Sequence, residues 1–395
     1  MNTKLVTMSQ IIGENGVFLD GDWVESKDQD PSGSIRLIQL ADIGDGYFID
    51  KSKRYLTKES ALNLKCTFLK QNDILIARMP DPIGRACIFP HLDTECVTVV
   101  DVCIVRPDKS IVLPEYLKYL INNQVFRRKI QMYVTGTTRQ RISRGNLAKI
   151  EFKLPPLEDQ KRIIKLLDQA DELRQKRKES IGLLDDYLKA VFFDMFGDIE
   201  SNTSGWELTN LSKITNKITD GTHQSPKFTQ EGIPFIFISN IISNEISLDT
   251  KRYISENEYN ALTKNTPIEK YDVLYTTVGS YGNPAIVKTD EKFCFQRHIA
   301  HIKPDHGKTN VYFLYAMLKS PSVKKQVDNK AKGIAQKTLN LTDLKNLNVI
   351  LPPIDLQNQF GEIVKETEQT KQKMLKQLEE MDNQFKALMQ KTFST

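Results

Sequence analysis

Apolar and polar residues alternate along this chain in two rhythms, and the whole sequence of rhythms occurs twice. Short apolar or alternating runs at 34–43, 73–78, 86–89 and 97–106, separated by Gly, Pro and Asp, predict strands and turns; runs in the same order return at 233–241, 272–277, 285–288 and 295–303. Each set is followed by a helical stretch (113–134 and 310–330), a polar loop, and then Leu-Pro-Pro with a glutamine close behind: Leu154, Pro155, Pro156 and Gln160, then Leu351, Pro352, Pro353 and Gln357. The offset is 197 residues, and it also relates Gly136 to Gly333, Leu147 to Leu344, Ile163 to Phe360, Asp185 to Asp382 and Phe196 to Phe393. A repeat this long is a duplicated domain rather than a solenoid unit.

The paired prolines predict helix starts, since the first helical turn needs no backbone N–H there, and Glu158, Asp159 and Asp355 face the positive helix end. Beyond them apolar residues form a seam. It runs through Ile163, Leu166, Ala170, Leu173, Ser180, Leu184, Leu188, Val191 and Met195 in the first arm, and through Phe360, Ile363, Thr367, Met374, Leu378, Met381, Phe385, Leu388 and Thr392 in the second. Seven-residue steps from 163 and from 360 coincide at the repeat offset, so both arms keep one heptad register. Each arm is about 40 residues, roughly 60 Å of helix. The expected fold class is α+β. Two mixed α/β bodies, 1–153 and 198–350, are separated by two long helices, 154–197 and 351–395, which pack as an antiparallel coiled coil with pseudo-two-fold symmetry. The alternative folds each helix back on its own body.

With 395 residues, 39% of them hydrophobic, the chain has material for two cores. It lacks an 18-residue apolar run and its first residues do not resemble a signal segment, so a soluble, cytoplasmic protein is expected. Five cysteines, at 66, 87, 96, 103 and 294, lack the spacing of a disulfide framework or a zinc site. The net charge of +5 matters less than its placement. Residues 126–153 hold eight basic side chains (Arg127, Arg128, Lys129, Arg139, Arg141, Arg144, Lys149, Lys153) against Glu151, and 323–350 hold six (Lys324, Lys325, Lys330, Lys332, Lys337, Lys345) against Asp328 and Asp343. Two basic patches at equivalent places suit phosphate neutralisation.

Catalytic chemistry is not visible. His306-Gly307-Lys308-Thr309 lacks the first P-loop glycine, Ile302 standing in its place, and Asn283-Pro284 lacks the second proline and the aromatic residue of an amino-methyltransferase motif. His298 and His301, three apart in an expected strand, point to opposite faces and make a poor metal pair. A non-catalytic binding scaffold is expected, with no metal or directly bound cofactor.

The tandem plan, the repeated Leu-Pro-Pro with glutamine, the segment Asp220-Gly221-Thr222-His223-Gln224-Ser225-Pro226 leading to Gly232-Ile233-Pro234-Phe235, and the turn Val278-Gly279-Ser280-Tyr281-Gly282-Asn283 together resemble the specificity subunit of Type I restriction-modification systems. The first body departs from that pattern: Asp20-Gly21-Asp22-Trp23 replaces the Asp-Gly-Thr-His form, and 78–85 replaces the Gly-Ser turn. The resemblance implies that the bodies are target-recognition domains, each reading half of a split, asymmetric duplex DNA site, and that the helices set the unread spacer. It also implies two methyltransferase subunits docked on the arms, with S-adenosylmethionine bound by those partners for adenine methylation; a motor-nuclease restriction subunit joins in systems that cut. Expected DNA contacts are Thr138, Arg139, Gln140, Arg141 and Arg144, with Gln336 and Lys337 in the equivalent loop, because Arg suits guanine and Gln suits adenine in the major groove. Thr222, His223, Lys227, Ser280 and Tyr281, with Arg78 and Arg85 in the first body, follow. The rival reading is a coiled-coil protein–protein adaptor that does not bind DNA.

Overall fold

A computed structural model describes residues 3–14, 16–242, 244–333 and 337–393. The chain divides into two compact units, Met1–Lys178 with Lys376–Thr395, and Glu179–Leu375. Each long helix, Leu157–Phe196 and Ile354–Phe393, therefore gives one half to each unit.

In the first unit a four-stranded antiparallel sheet runs in the order Val17–Asp20, Val102–Arg106, Ile74–Ala77, Ala86–Ile88. Every residue of Ile74–Ala77 is buried, as a central strand covered on both faces requires. A three-stranded sheet, Tyr55–Leu56, Ile35–Ile38, Cys96–Thr98, lies beside it, with its last two strands parallel. Lys4–Thr7 and Glu151–Leu154 close the unit as an antiparallel pair. The helical stretch expected as one piece is two, Pro114–Asn122 and Gln124–Gln131; Asn123 breaks it because its side chain caps the Val125 N–H while its backbone stays extended. The main core gathers Ile74, Ile76, Val105, Leu117, Phe126, Ile142 and Phe152 with Ile163 and Leu167 of the first long helix and Met389 of the second.

The second unit repeats this order. Its four-stranded sheet is Thr215–Asp220, Ile299–Pro304, Val273–Thr276, Pro284–Ile286, its parallel pair is Ile233–Ile236 with Cys294–Phe295, and its closing pair is Glu207–Asn210 with Asn348–Leu351. Its helical stretch also splits, into Val311–Lys319 and Pro321–Lys330, with Ser320 capping and Pro321 at the first turn. Four rings, Phe192, Phe196, Phe313 and Phe360, pack in its core with centroids 4.7 to 5.8 Å apart. Aromatic contacts of this kind add about 0.5–1.5 kcal/mol each to the burial of their area.

The helices pair antiparallel within each unit. In the first, Arg174 meets Asp382 at 2.6 Å and its guanidinium lies 4.3 Å from the Phe385 ring centroid. In the second, Lys371 meets Asp185 at 2.7 Å and Phe192 lies against Phe360. The pairing and the return to the body are not alternatives, since the same helix halves do both. The seam differs from the expected one in the first helix: Leu166, Leu173 and Ser180 are exposed, and Leu167, Arg174 and Ile181 face inward. Between Ile163 and Ala170 the sequence offers leucine at both 166 and 167, one residue and about 100° apart. Packing against the body selects 167.

The repeated glutamines explain the repeated Leu-Pro-Pro. Gln160 is fully buried; its Oε1 accepts from the Leu113 N–H (2.9 Å) while Nε2 donates to the carbonyls of Ile111 (3.1 Å) and Pro155 (2.9 Å). Gln357, also fully buried, accepts from the Asn310 N–H (3.0 Å) and the Thr309 hydroxyl (3.2 Å) and donates to Lys308 (3.1 Å) and Pro352 (2.8 Å). Each one bolts the start of a long helix to the loop that opens the body's helical pair.

Candidate nucleic-acid interface

The basic loop of the first unit is a pinched finger. Thr135 and Arg141 exchange two backbone hydrogen bonds of 2.9 Å, and the segment between them, including Thr138, Arg139 and Gln140, is exposed. Gly136 has φ +99°, and a Cβ there would lie 2.6 Å from the Arg139 carbonyl oxygen, so the repeated glycine is what lets the loop close. In the second unit Lys332 and Thr338 form the same pinch and Gly333 has φ +120°. Lys337 sits in that finger, and Gln336 lies outside the described residues.

In the second unit these loops are stitched together through backbone bonds. Gly279 N–H donates to the Lys337 carbonyl (3.1 Å) and Leu339 N–H to that of Thr277 (2.8 Å), which brings Ser280 and Tyr281 beside the finger. Thr277 N–H donates to the His298 carbonyl (2.9 Å), and Arg297 N–H to that of Thr222 (3.1 Å), which adds the Asp-Gly-Thr-His segment. Ser280 is exposed, and its carbonyl accepts from Thr276 Oγ1 and Asn283 Nδ2, both at 2.7 Å, which fixes the turn. Tyr281 donates to Asp328 (2.9 Å) and lies under Lys324, 4.2 Å from its ring centroid; the bond to Asp328 raises the phenol's pKa. Thr222 donates to the Gln224 carbonyl, His223 pairs with Asp220 at 2.9 Å, and Lys227 is exposed. A Cβ on Gly221 would lie 2.2 Å from the Phe295 carbonyl oxygen, and one on Gly21 would lie 2.3 Å from that of Val99. Close backbone approach therefore accounts for the Asp-Gly shared by both units.

The first unit shares three backbone stitches with it: Ile142 N–H donates to Arg78 as Leu339 does to Thr277, Arg78 N–H to Asp101 as Thr277 does to His298, and Asp22 N–H to Thr98 as Thr222 does to Phe295. Its arginines are spent differently. Arg78 is only 8% exposed and donates to the Val100 carbonyl (2.6 Å) beside Asp20 and Asp101. Arg85 donates to the carbonyls of Ile43, Pro80 and Leu40. Arg144 donates to that of Phe18 and lies 3.5 Å from Asp20. Those three guanidiniums hold loops in place, whereas the Arg139 and Arg141 side chains have no polar partner among the described residues and lie in the finger's exposed stretch.

The DNA contacts expected from the sequence include neither Trp23 nor the tripeptide Gln296-Arg297-His298. Trp23 is 69% exposed and occupies the place of His223, since Asp22 bridges Val99 as Thr222 bridges Gln296. The signal was available in the matched Asp-Gly pairs, which put Trp23 and His223 in register. Burial and the neighbouring Arg297 lower the pKa of His298. Each surface thus offers hydrogen-bond donors, cations and an aromatic ring, Trp23 in the first unit and Tyr281 in the second, on a fixed backbone. Among the described residues no group of three or more His, Cys, Asp or Glu could hold a metal ion.

The family model described as Type I restriction modification DNA specificity domain matches residues 20–183 and 203–380. Over 266 residues the chain is 29% identical to the Type I restriction enzyme EcoBI specificity subunit of Escherichia coli, a match covering 61% of this chain and 55% of that relative, so it spans little more than half of the relative's length. It is 21% identical over 335 residues to the Type I restriction enzyme MjaIX specificity subunit of Methanocaldococcus jannaschii, covering 80% and 76%. Among solved structures, a chain described in work on complex assembly and conformational transition of the type I R-M system aligns with a TM-score of 0.60 at 17% identity, covering 99% of this chain and 97% of that one. The S subunit from M. genitalium aligns at 0.51, also at 17% identity, covering 100% and 96%.

Proposed function

This chain belongs to the Type I restriction-modification DNA specificity family, the non-catalytic part of such systems, and from that premise we propose that it reads a two-part, asymmetric site in duplex DNA, one half-site with each unit. The observation that carries this reading is the pair of loop surfaces built on one backbone frame with different side chains. Asp22, Trp23, Val100 and Arg139 stand in one where Thr222, His223, Arg297 and the Lys332–Thr338 finger stand in the other. Identical frames would accept the same duplex geometry, while unlike side chains would ask for unlike bases. A palindrome would need like side chains.

The long helices supply the second half of the proposal. Leu166 and Leu173 in the first unit, and Leu183, Tyr187 and Phe193 in the second, are large apolar side chains left exposed on the first long helix. They suit docking of helical partners, which we take to be two adenine methyltransferase subunits carrying S-adenosylmethionine, with a restriction subunit joining where the system cuts. Base chemistry would then belong to the partner, acting on a flipped adenine. No helix is long and apolar enough to cross a membrane among the described residues. Co-expression with the cognate methyltransferase followed by mapping of methylated adenines tests the reading. The expected result is methylation confined to a split motif with two different halves. A chain that binds no duplex DNA even at low salt would leave the adaptor reading in its place.

A further inference from the structure

At the centre of the second unit's loop surface lies a residue that neither the basic finger nor the Asp-Gly segment contains. The backbone of Gln296-Arg297-His298 joins the two: Arg297 N–H donates to Thr222 (3.1 Å), and the His298 carbonyl accepts from both the N–H (2.9 Å) and the Oγ1 (3.0 Å) of Thr277. The Arg297 side chain is exposed and, among the described residues, pairs with no carboxylate. Its one polar contact is from Nε to the His298 ring, at 3.4 Å. Burial and then the adjacent guanidinium lower the pKa of that imidazole, which favours the form able to accept from Nε. The two Nη groups remain uncommitted, in the planar fork that matches guanine O6 and N7.

The first unit shows what a spent cation looks like at the same place. There the backbone position of Arg297 is taken by Val100, and the nearby cation, Arg78, comes from the neighbouring strand and turns inward to the Val100 carbonyl and Asp20. One surface has its central charge neutralised and covered; the other presents it. We propose that Arg297 is a specificity-determining residue that reads one guanine in the half-site of the second unit by a bidentate major-groove contact. This inference rests on the DNA-reading function proposed above.

The test is selection by the full-length chain from a duplex library with a randomised central segment, comparing wild type with Arg297→Ala and Arg297→Lys. The expected result is that wild type enriches a two-part motif and that Arg297→Ala loses preference for guanine at one position of one half, by on the order of tenfold to a hundredfold, with the other half unchanged. Arg297→Lys keeps the charge and loses the fork, so it is expected to relax the same position while retaining overall recovery. An unchanged motif with uniformly lower recovery for Arg297→Ala, or wild-type selectivity in Arg297→Lys, makes Arg297 a phosphate contact and overturns the inference while leaving the DNA-reading function intact. No motif enriched by wild type would remove both.

Discussion

Gln357 illustrates how much one buried amide can organise. Substitution by leucine leaves the Asn310 N–H and the Lys308 and Pro352 carbonyls without their partner in a dry site. The expected cost is on the order of 3 kcal/mol, read as a lower urea midpoint, with a comparable loss for Gln160→Leu. A titratable group gives a second prediction. Burial of Asp272 favours its neutral form, but hydrogen bonds from His301 (2.6 Å) and Lys303 (2.9 Å) outweigh this and hold its pKa below the ordinary value. Its stabilisation is therefore complete above the unfolded pKa of about 4 and is lost as pH falls through the depressed folded value. Asp272→Asn is expected to flatten the acid limb of a stability–pH curve and to lower stability near neutrality. The glutamines were legible in the sequence because they repeat; Asp272 was not, since its role depends on His301 and Lys303 arriving from another strand. Arg78 and Arg85 show the opposite case. Residue type nominated them as readers, and only the fold shows their guanidiniums turned toward backbone carbonyls.

The long helices carry the clearest pattern in the chain, and their lengths and shared seven-residue positions were readable from it. Which residue between those positions turns inward was not. Leu166 and Leu167 are equal candidates by hydrophobicity, and only the body's surface distinguishes them. Leu167→Ala should cost about 2–4 kcal/mol by opening a cavity beside Ile163 and Met389, whereas Leu166→Ala should stay within about 0.5 kcal/mol. Paired denaturation curves check the contrast. The strands Val17–Asp20 and Thr215–Asp220 were missed because each is an edge strand, the first with no buried residue and the second with only Ile218 buried, which dilutes alternation. The splits at Asn123 and Ser320 were missed for another reason: the apolar face continues across them, and the break is marked by side-chain capping, joined at the second by Pro321.

At the scale of the whole molecule the proposed DNA function is electrostatic before it is specific. Affinity for duplex DNA should fall with salt on a log–log plot by about 0.9 per phosphate neutralised, and Arg139→Ala should reduce that slope if its guanidinium meets the backbone. Fluorescence anisotropy across a salt series measures both. The division of the chain into units has a further outcome. Glu179–Leu375 is one uninterrupted run that carries its own sheets, its own aromatic core and half of each long helix, so it is expected to unfold cooperatively when expressed alone. In genetic terms that run is a cassette. On the proposed function, an exchange with one crossover in the coding segment of each helix would replace a complete reader, and joints placed in step with the seven-residue repeat would preserve the packing register, so inheritance would change what is recognised and spare the scaffold.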